Sequence, residues 1–150
     1  MELTGKKALV FGAGKSGIAS SELLLKCGAC VVLFDGNEKL DAEALNKKVK
    51  EAVPEAADAF CVALGTLTDE ILDGLSLAVL SPGVPCDIDE VYRLKDNSVE
   101  VIGEVELAYR AGSGRVLAVT GTNGKTTTTA LVGELLRSFY QDVQVVRSEE

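Results

Sequence analysis

The chain has 150 residues, 47% of them hydrophobic, and its 15 Lys+Arg against 23 Asp+Glu leave a formal net charge of −8. That length and apolar content suit one packed domain, or one domain and the start of another, while the negative balance excludes a nonspecific grip on nucleic acid, which needs concentrated positive charge. With no histidine and with Cys27, Cys30, Cys61 and Cys86 scattered, there are too few ligands for a zinc site.

Neither an apolar signal core nor a run near the roughly 18 residues of a membrane span occurs, so a cytoplasmic location without a membrane partner is expected. The cysteines are then expected to be free thiols in a reducing compartment. Cys27 and Cys30 form a C-x-x-C, but at the end of an expected helix and the start of a strand, away from the helix N-terminus that would activate a thiolate.

Lys6 to Phe11 is a short apolar run, and Gly12-Ala-Gly-Lys-Ser-Gly17 follows it before a stretch carrying Ile18, Ala19, Leu23 and Leu25. This order predicts strand, tight turn and helix. Cys30 to Asp35 is too apolar to alternate, which suits a parallel strand covered on both faces. Its last residue, Asp35, lies eighteen residues after Gly17, where nucleotide-binding folds often set a carboxylate against ribose hydroxyls. Leu40 to Val53 predicts a helix with a solvated charged face, stopped by Pro54.

Asp58 to Ala63 predicts a third strand, Thr68 to Asp73 a short capped helix, and Leu77 to Leu80 a fourth strand. Ser81-Pro-Gly-Val-Pro85 ends that strand. It reads equally as a rigid turn and as a ligand loop, since open α/β sheets present binding loops at the carboxyl ends of their strands. Asp87 to Lys95 has helical spacing, and Val99 to Ile102 predicts a fifth strand, with the first domain closing at Gly103. Glu104 to Arg110 is expected as a short helix leading away, and Gly112-Ser-Gly114 as a flexible joint.

A second strand–turn–helix unit begins at Arg115. Val116 to Thr120 runs into Gly121-Thr-Asn-Gly-Lys-Thr-Thr127, and a helix is expected to about Phe139, with one more strand from Val143 to Val146. The turn reads as a phosphate-binding loop. Gly121 and Gly124 let backbone N–H groups approach a triphosphate, the helix start adds partial positive charge, Lys125 neutralises terminal phosphate, and the Thr126 hydroxyl stands where such loops place a Mg²⁺ ligand. The spacing is the shorter G-x-x-G-K-T form, because Val119 occupies the position of the usual first glycine. The competing reading is a Gly/Asn turn that only joins strand to helix.

Alone, the Gly12 to Gly17 motif favours a nicotinamide- or flavin-binding Rossmann domain. A second loop bearing Lys and Thr changes that balance, because an enzyme joining a nucleotide-linked substrate to another molecule with ATP needs both. The fold class expected is therefore α/β: a Rossmann-like parallel-sheet domain over 1–103, followed over 104–150 by the beginning of a P-loop ATPase domain.

Gly12 to Gly17, Ser81-Pro-Gly-Val84, Ile102-Gly-Glu-Val-Glu-Leu107 and Thr120 to Thr127 together resemble the Mur ligases of peptidoglycan synthesis, in particular members that add D-glutamate to UDP-N-acetylmuramoyl-L-alanine. The resemblance runs from about Leu3 to Val146 and covers the first third or so of such an enzyme. It implies an N-terminal Rossmann-like domain that binds the UDP-muramoyl substrate, a central ATPase domain and a C-terminal domain for the incoming amino acid. In that reaction ATP phosphorylates a carboxylate and an amine attacks the acyl phosphate.

Carried onto this chain, the resemblance puts Gly14, Lys15 and Ser16 at the uridine diphosphate and Asp35, Gly36 and Asn37 at the uracil end, with Ser81, Pro82 and Gly83 lining the same cleft. ATP falls to Gly121, Thr122, Asn123, Gly124, Lys125, Thr126 and Thr127, Lys125 and Thr126 being catalytic and Thr126 the Mg²⁺ ligand. Gly36 and Asn37 depart from a family that often has a hydroxyl and a basic or polar side chain there. Arg147-Ser-Glu-Glu150 stands in place of a G-N-x-G turn, and the family's later acidic Mg²⁺ ligand, histidine and carbamylated lysine do not occur. The chain is therefore expected to be a ligase fragment, inactive alone. The alternative from another class is a stand-alone module that binds a dinucleotide or UDP-sugar.

Overall fold

Five strands and six helices are built from the described residues, 2–146 of the computed structural model. Expectations about Arg147 to Glu150 lie outside them. The first compact unit extends to Ser113 and the second begins at Gly114.

In the first unit strand β1 (Lys7–Phe11) leads to α1 (Lys15–Lys26), β2 (Cys30–Asp35) and α2 (Ala42–Ala52). Then come β3 (Phe60–Leu64), α3 (Asp69–Leu72), β4 (Leu75–Leu80), α4 (Asp89–Asp96), β5 (Glu100–Gly103) and α5 (Glu104–Ala111). The strands pair in the order β3-β2-β1-β4-β5, every pair parallel. Strand order reverses beside β1, so the β1 and β4 ends flank the switch point of the sheet.

Burial explains why the central strands lack alternation: all but the ends of β1, β2 and β4 are buried. Ala8, Val10, Val31, Leu33 and Val79 join Ile18 and Leu24 of α1 and Val49 of α2 on one face. Leu9, Phe11, Val32, Phe34 and Leu80 join Leu72 of α3 and Val91 and Leu94 of α4 on the other. Each fully buried Leu or Phe side chain contributes about 1.5–3 kcal/mol, so this two-sided core dominates the unit's stability. Phe11 and Phe34 meet edge to face, centroids 4.9 Å apart.

Several local expectations are adjusted. The second helix begins at Ala42, where Asp41 caps it by accepting from the Ala44 N–H at 2.9 Å, and a 3₁₀ turn over Pro54–Ala59 follows it. Thr68 precedes α3 without a side-chain capping bond; Arg93 of α4 instead ties that segment by donating to the Leu67 carbonyl and pairing with Asp69.

The helix expected to lead away after Gly103 does not. Leu107 of α5 is buried in the core that contains α1, and Arg110 pairs with Glu100 of β5 at 2.8 Å and with Glu106 at 2.7 Å. Those two carboxylates raise the Arg110 pKa. An amphipathic helix buries its apolar stripe on the nearest core, so the first compact unit ends at Ser113 and not at Gly103.

In the second unit α6 (Lys125–Arg137) is the regular element among the described residues. The strands expected over 116–120 and 143–146 do not form. A strand exists only by pairing, and a short unpaired one has no independent stability. Residue 145 does pack on α6: a Cβ at Gly133 would run into the Val145 side chain. No helix of the described residues is long and apolar enough to cross a membrane.

Candidate functional site

At the carboxyl edge of the sheet three turns are joined by specific bonds. Gly12 leaves β1 with φ +106, a conformation that favours glycine, and its N–H donates to the Phe34 carbonyl at 2.8 Å. A Cβ on Gly12 would stand 2.9 Å from the Ser81 Cβ, and one on Gly17 would be driven into the Gly12 carbonyl oxygen. These two glycines serve close packing. Gly14 is different: a Cβ there meets nothing within 4 Å, so the open side of the turn lies at Gly14.

From that turn α1 begins. Gly14 is its N-cap without a side-chain capping bond, and no acidic residue lies in its first turn. The N–H groups at this helix start are free of side-chain acceptors and carry the partial positive charge that favours an anion. Lys15 is exposed and Ser16 half-buried at the same place.

Ser81 enters from β4. It is buried, its N–H donates to the Phe11 carbonyl at 3.0 Å and its hydroxyl to the Gly12 carbonyl at 3.3 Å. Pro82 and Gly83 stay exposed beyond it. Of the Ser81-Pro-Gly trio, the hydroxyl thus faces the glycine turn. Beside Ser81 is an open pocket of about 400 Å³ whose lining mixes Leu80, Val84, Val91 and Ile102 with Ser81 and Lys95.

The third turn follows β2. Asp35 Oδ2 accepts from the Ala13 N–H at 2.8 Å and Oδ1 from the Asn37 N–H at 2.9 Å. Asn37 Oδ1 in turn accepts from the Lys39 N–H at 3.1 Å. Gly36 and Asn37 are exposed. Sequence reasoning overlooked Ala13 and also Gly65, whose left-handed φ of +91 sets it under the Glu38 side chain, while its N–H donates to the Asp35 carbonyl at 2.8 Å. A glycine directly after an apolar strand was the available signal.

The second glycine turn is built from its own residues. Gly124 caps α6 in the left-handed conformation with φ +77, and the Lys125 ammonium donates to the Gly121 carbonyl at 2.9 Å. Gly121, Thr122, Asn123, Gly124, Thr126 and Thr127 are exposed. Their N–H and hydroxyl groups form a donor-rich turn at a 13-residue helix start, which fits phosphate oxygens. No cluster of three or more His, Cys, Asp or Glu that could hold a metal occurs among the described residues. The hydroxyl of Thr126 suits Mg²⁺ bound mainly through phosphate and water.

A parallel sheet of this order with a glycine turn at its switch point places the chain in the open α/β class. Residues 6–103 match the family described as Mur ligase MurD-like, N-terminal domain, and the chain belongs to that family. It is 48% identical over 146 residues to the UDP-N-acetylmuramoylalanine–D-glutamate ligase of Lachnoclostridium phytofermentans, a match covering 97% of this chain and 31% of that protein. The ligase of the same name from Lachnospira eligens is 42% identical with the same coverage. Among solved structures, the murein peptide ligase of Psychrobacter arcticus superposes with a TM-score of 0.58 at 20% identity, covering 89% of this chain and 26% of that one, a likeness of fold. The chain spans about a third of the length of its curated relatives and corresponds to the N-terminal part of such ligases.

Proposed function

We propose that this chain supplies the UDP-substrate-binding part, and the start of the ATP-binding part, of a cytoplasmic ligase that adds D-glutamate to UDP-N-acetylmuramoyl-L-alanine through an acyl phosphate. The observation that carries it is the open Gly14 turn at the switch point, leading into an uncapped helix start, in a chain 48% identical to a ligase named for that reaction.

In this reading the uridine diphosphate lies on Gly14, Lys15 and Ser16, the uracil end approaches Asp35, Gly36 and Asn37, and Ser81, Pro82 and Gly83 border the cleft. Gly121 to Thr127 receive the ATP phosphates, Lys125 exchanging the Gly121 carbonyl for a phosphate oxygen and Thr126 offering its hydroxyl to Mg²⁺. ATP and Mg²⁺ supply the activation of the carboxylate; these residues bind and orient. In this reading the exposed Val116, Leu117, Leu131 and Leu135 belong to the apolar surface of the ATP-binding part.

Thermal melting tests the reading. UDP-N-acetylmuramoyl-L-alanine, and UDP more weakly, are expected to raise the melting temperature while NAD and NADP do not, and Gly14→Val is expected to remove the shift by filling the face that the pyrophosphate approaches. Stabilisation by NAD with none from either uridine nucleotide would overturn it in favour of a dinucleotide-binding module.

A further inference from the structure

We propose that Asp35 is a positioning residue, whose carboxylate braces the glycine turn against the turn after β2 and so holds the pyrophosphate-binding face open before any ligand arrives. The inference rests on the uridine-nucleotide reading above and deepens it.

Ala13 is 9% exposed, so its N–H has little access to water and needs a protein acceptor. Asp35 Oδ2 is that acceptor, at 2.8 Å from a residue 22 positions earlier in the chain. Its second oxygen is engaged by the Asn37 N–H at 2.9 Å, which starts a run of two side-chain turns ending at the Lys39 N–H. One carboxylate therefore shapes both turns.

The residue type follows from the donors it serves. The two N–H groups are served by separate oxygens, and a carboxylate has both; an asparagine offers one and would press an N–H₂ against the other donor. Aspartate is demanded here whether or not a ribose or uracil is read.

The brace has a counterpart. The Ser81 hydroxyl holds the Gly12 carbonyl at 3.3 Å from the β4 side, while Asp35 holds the neighbouring Ala13 N–H from the β2 side. Gripped on both flanks, the turn leaves Gly14 with nothing near its Cβ direction and presents the α1 start. A negative side chain so near an anion site would repel the ligand if its charge were unscreened; two charge-assisted bonds to backbone N–H groups spread that charge.

The test compares UDP with inorganic pyrophosphate on the whole 150-residue chain, by NMR titration. If Asp35 braces the turn, Asp35→Ala weakens inorganic pyrophosphate as well as UDP, roughly tenfold to a hundredfold, and accelerates exchange of the Ala13 and Asn37 amides. Asp35→Asn, which keeps one acceptor and guards against a variant that fails to fold, gives an intermediate loss, again for both ligands. A loss confined to UDP would make Asp35 a direct reader of the nucleoside, and no loss for either would make it structural only; both overturn the proposal. If the unsubstituted chain binds neither ligand, the uridine-nucleotide reading falls and the binding role of Asp35 falls with it. The amide exchange then scores the brace alone: acceleration at both amides retains the bracing geometry, and unchanged exchange overturns that too.

Discussion

The two glycine turns in this chain have similar local chemistry and opposite support. Gly12 to Gly17 lies between buried strands, locked by Ser81 on one side and Asp35 on the other. Gly121 to Gly124 is held by its own Lys125, and around it Val116 is 66% exposed and Leu131 also 66%. Glycines permit a phosphate turn; neighbouring strands make it stiff. The difference lies in packing, because the first turn inherits the rigidity of a two-sided core and the second has a single helix beneath it.

The largest effect expected from this contrast is a pair of glycine substitutions. Gly17→Val would force a side chain into the Gly12 carbonyl, where backbone has no room to yield. It should destabilise the first unit by more than about 4 kcal/mol and abolish its cooperative melt. Gly133→Val meets the Val145 side chain in the second unit and should leave that melt in place. Circular dichroism of both variants decides; a folded Gly17→Val chain would show that the turn is not interlocked.

A smaller effect comes from one leucine in each region. Leu33 is fully buried in β2 and Leu135 is 62% exposed on α6. Leu33→Ala should cost about 2–5 kcal/mol in urea unfolding, and Leu135→Ala less than about 0.5 kcal/mol. Equal losses would mean that α6 is packed as firmly as the sheet.

The smallest effect is a pH dependence confined to the first unit, where all four cysteines lie. Although Cys61 is exposed, partial desolvation of its thiol pushes its pKa above the ordinary cysteine value, opposed by the charges of Lys7 and Lys50. A folded-state pKa above the unfolded one stabilises the fold at pH below the unfolded value, and that contribution is lost as pH rises through the folded-state value. Between pH 8 and 10.5 the melting temperature should therefore fall slightly more steeply for the unsubstituted chain than for Cys61→Ser; parallel curves would show that the thiol titrates alike in both states.

Five parallel strands, their helices and the glycine turn after the first strand were legible in the sequence, because each depends on local features: an unbroken apolar run, a 3.6-residue stripe, a glycine where φ is positive. The family resemblance was legible for a similar reason, since its motifs are short and ordered along the chain. The unpaired segments at 116–120 and 143–146 show the limit of that logic, as their composition suits a strand while pairing is supplied, or not, by other residues.

What the sequence by itself determined is the elements of the first unit, the helix of the second, and the chemistry available at their ends: Gly14, Lys15, Asp35 and Ser81 in one region, Lys125 and Thr126 in the other. Tertiary structure alone decided that Ser81 reaches Gly12 across 69 residues and Asp35 reaches Ala13 across 22. It also returned α5 to the first unit through Leu107 and Arg110. Those contacts depend on strand order and register, and parallel strands are brought together through helical crossovers whose destination no local pattern encodes.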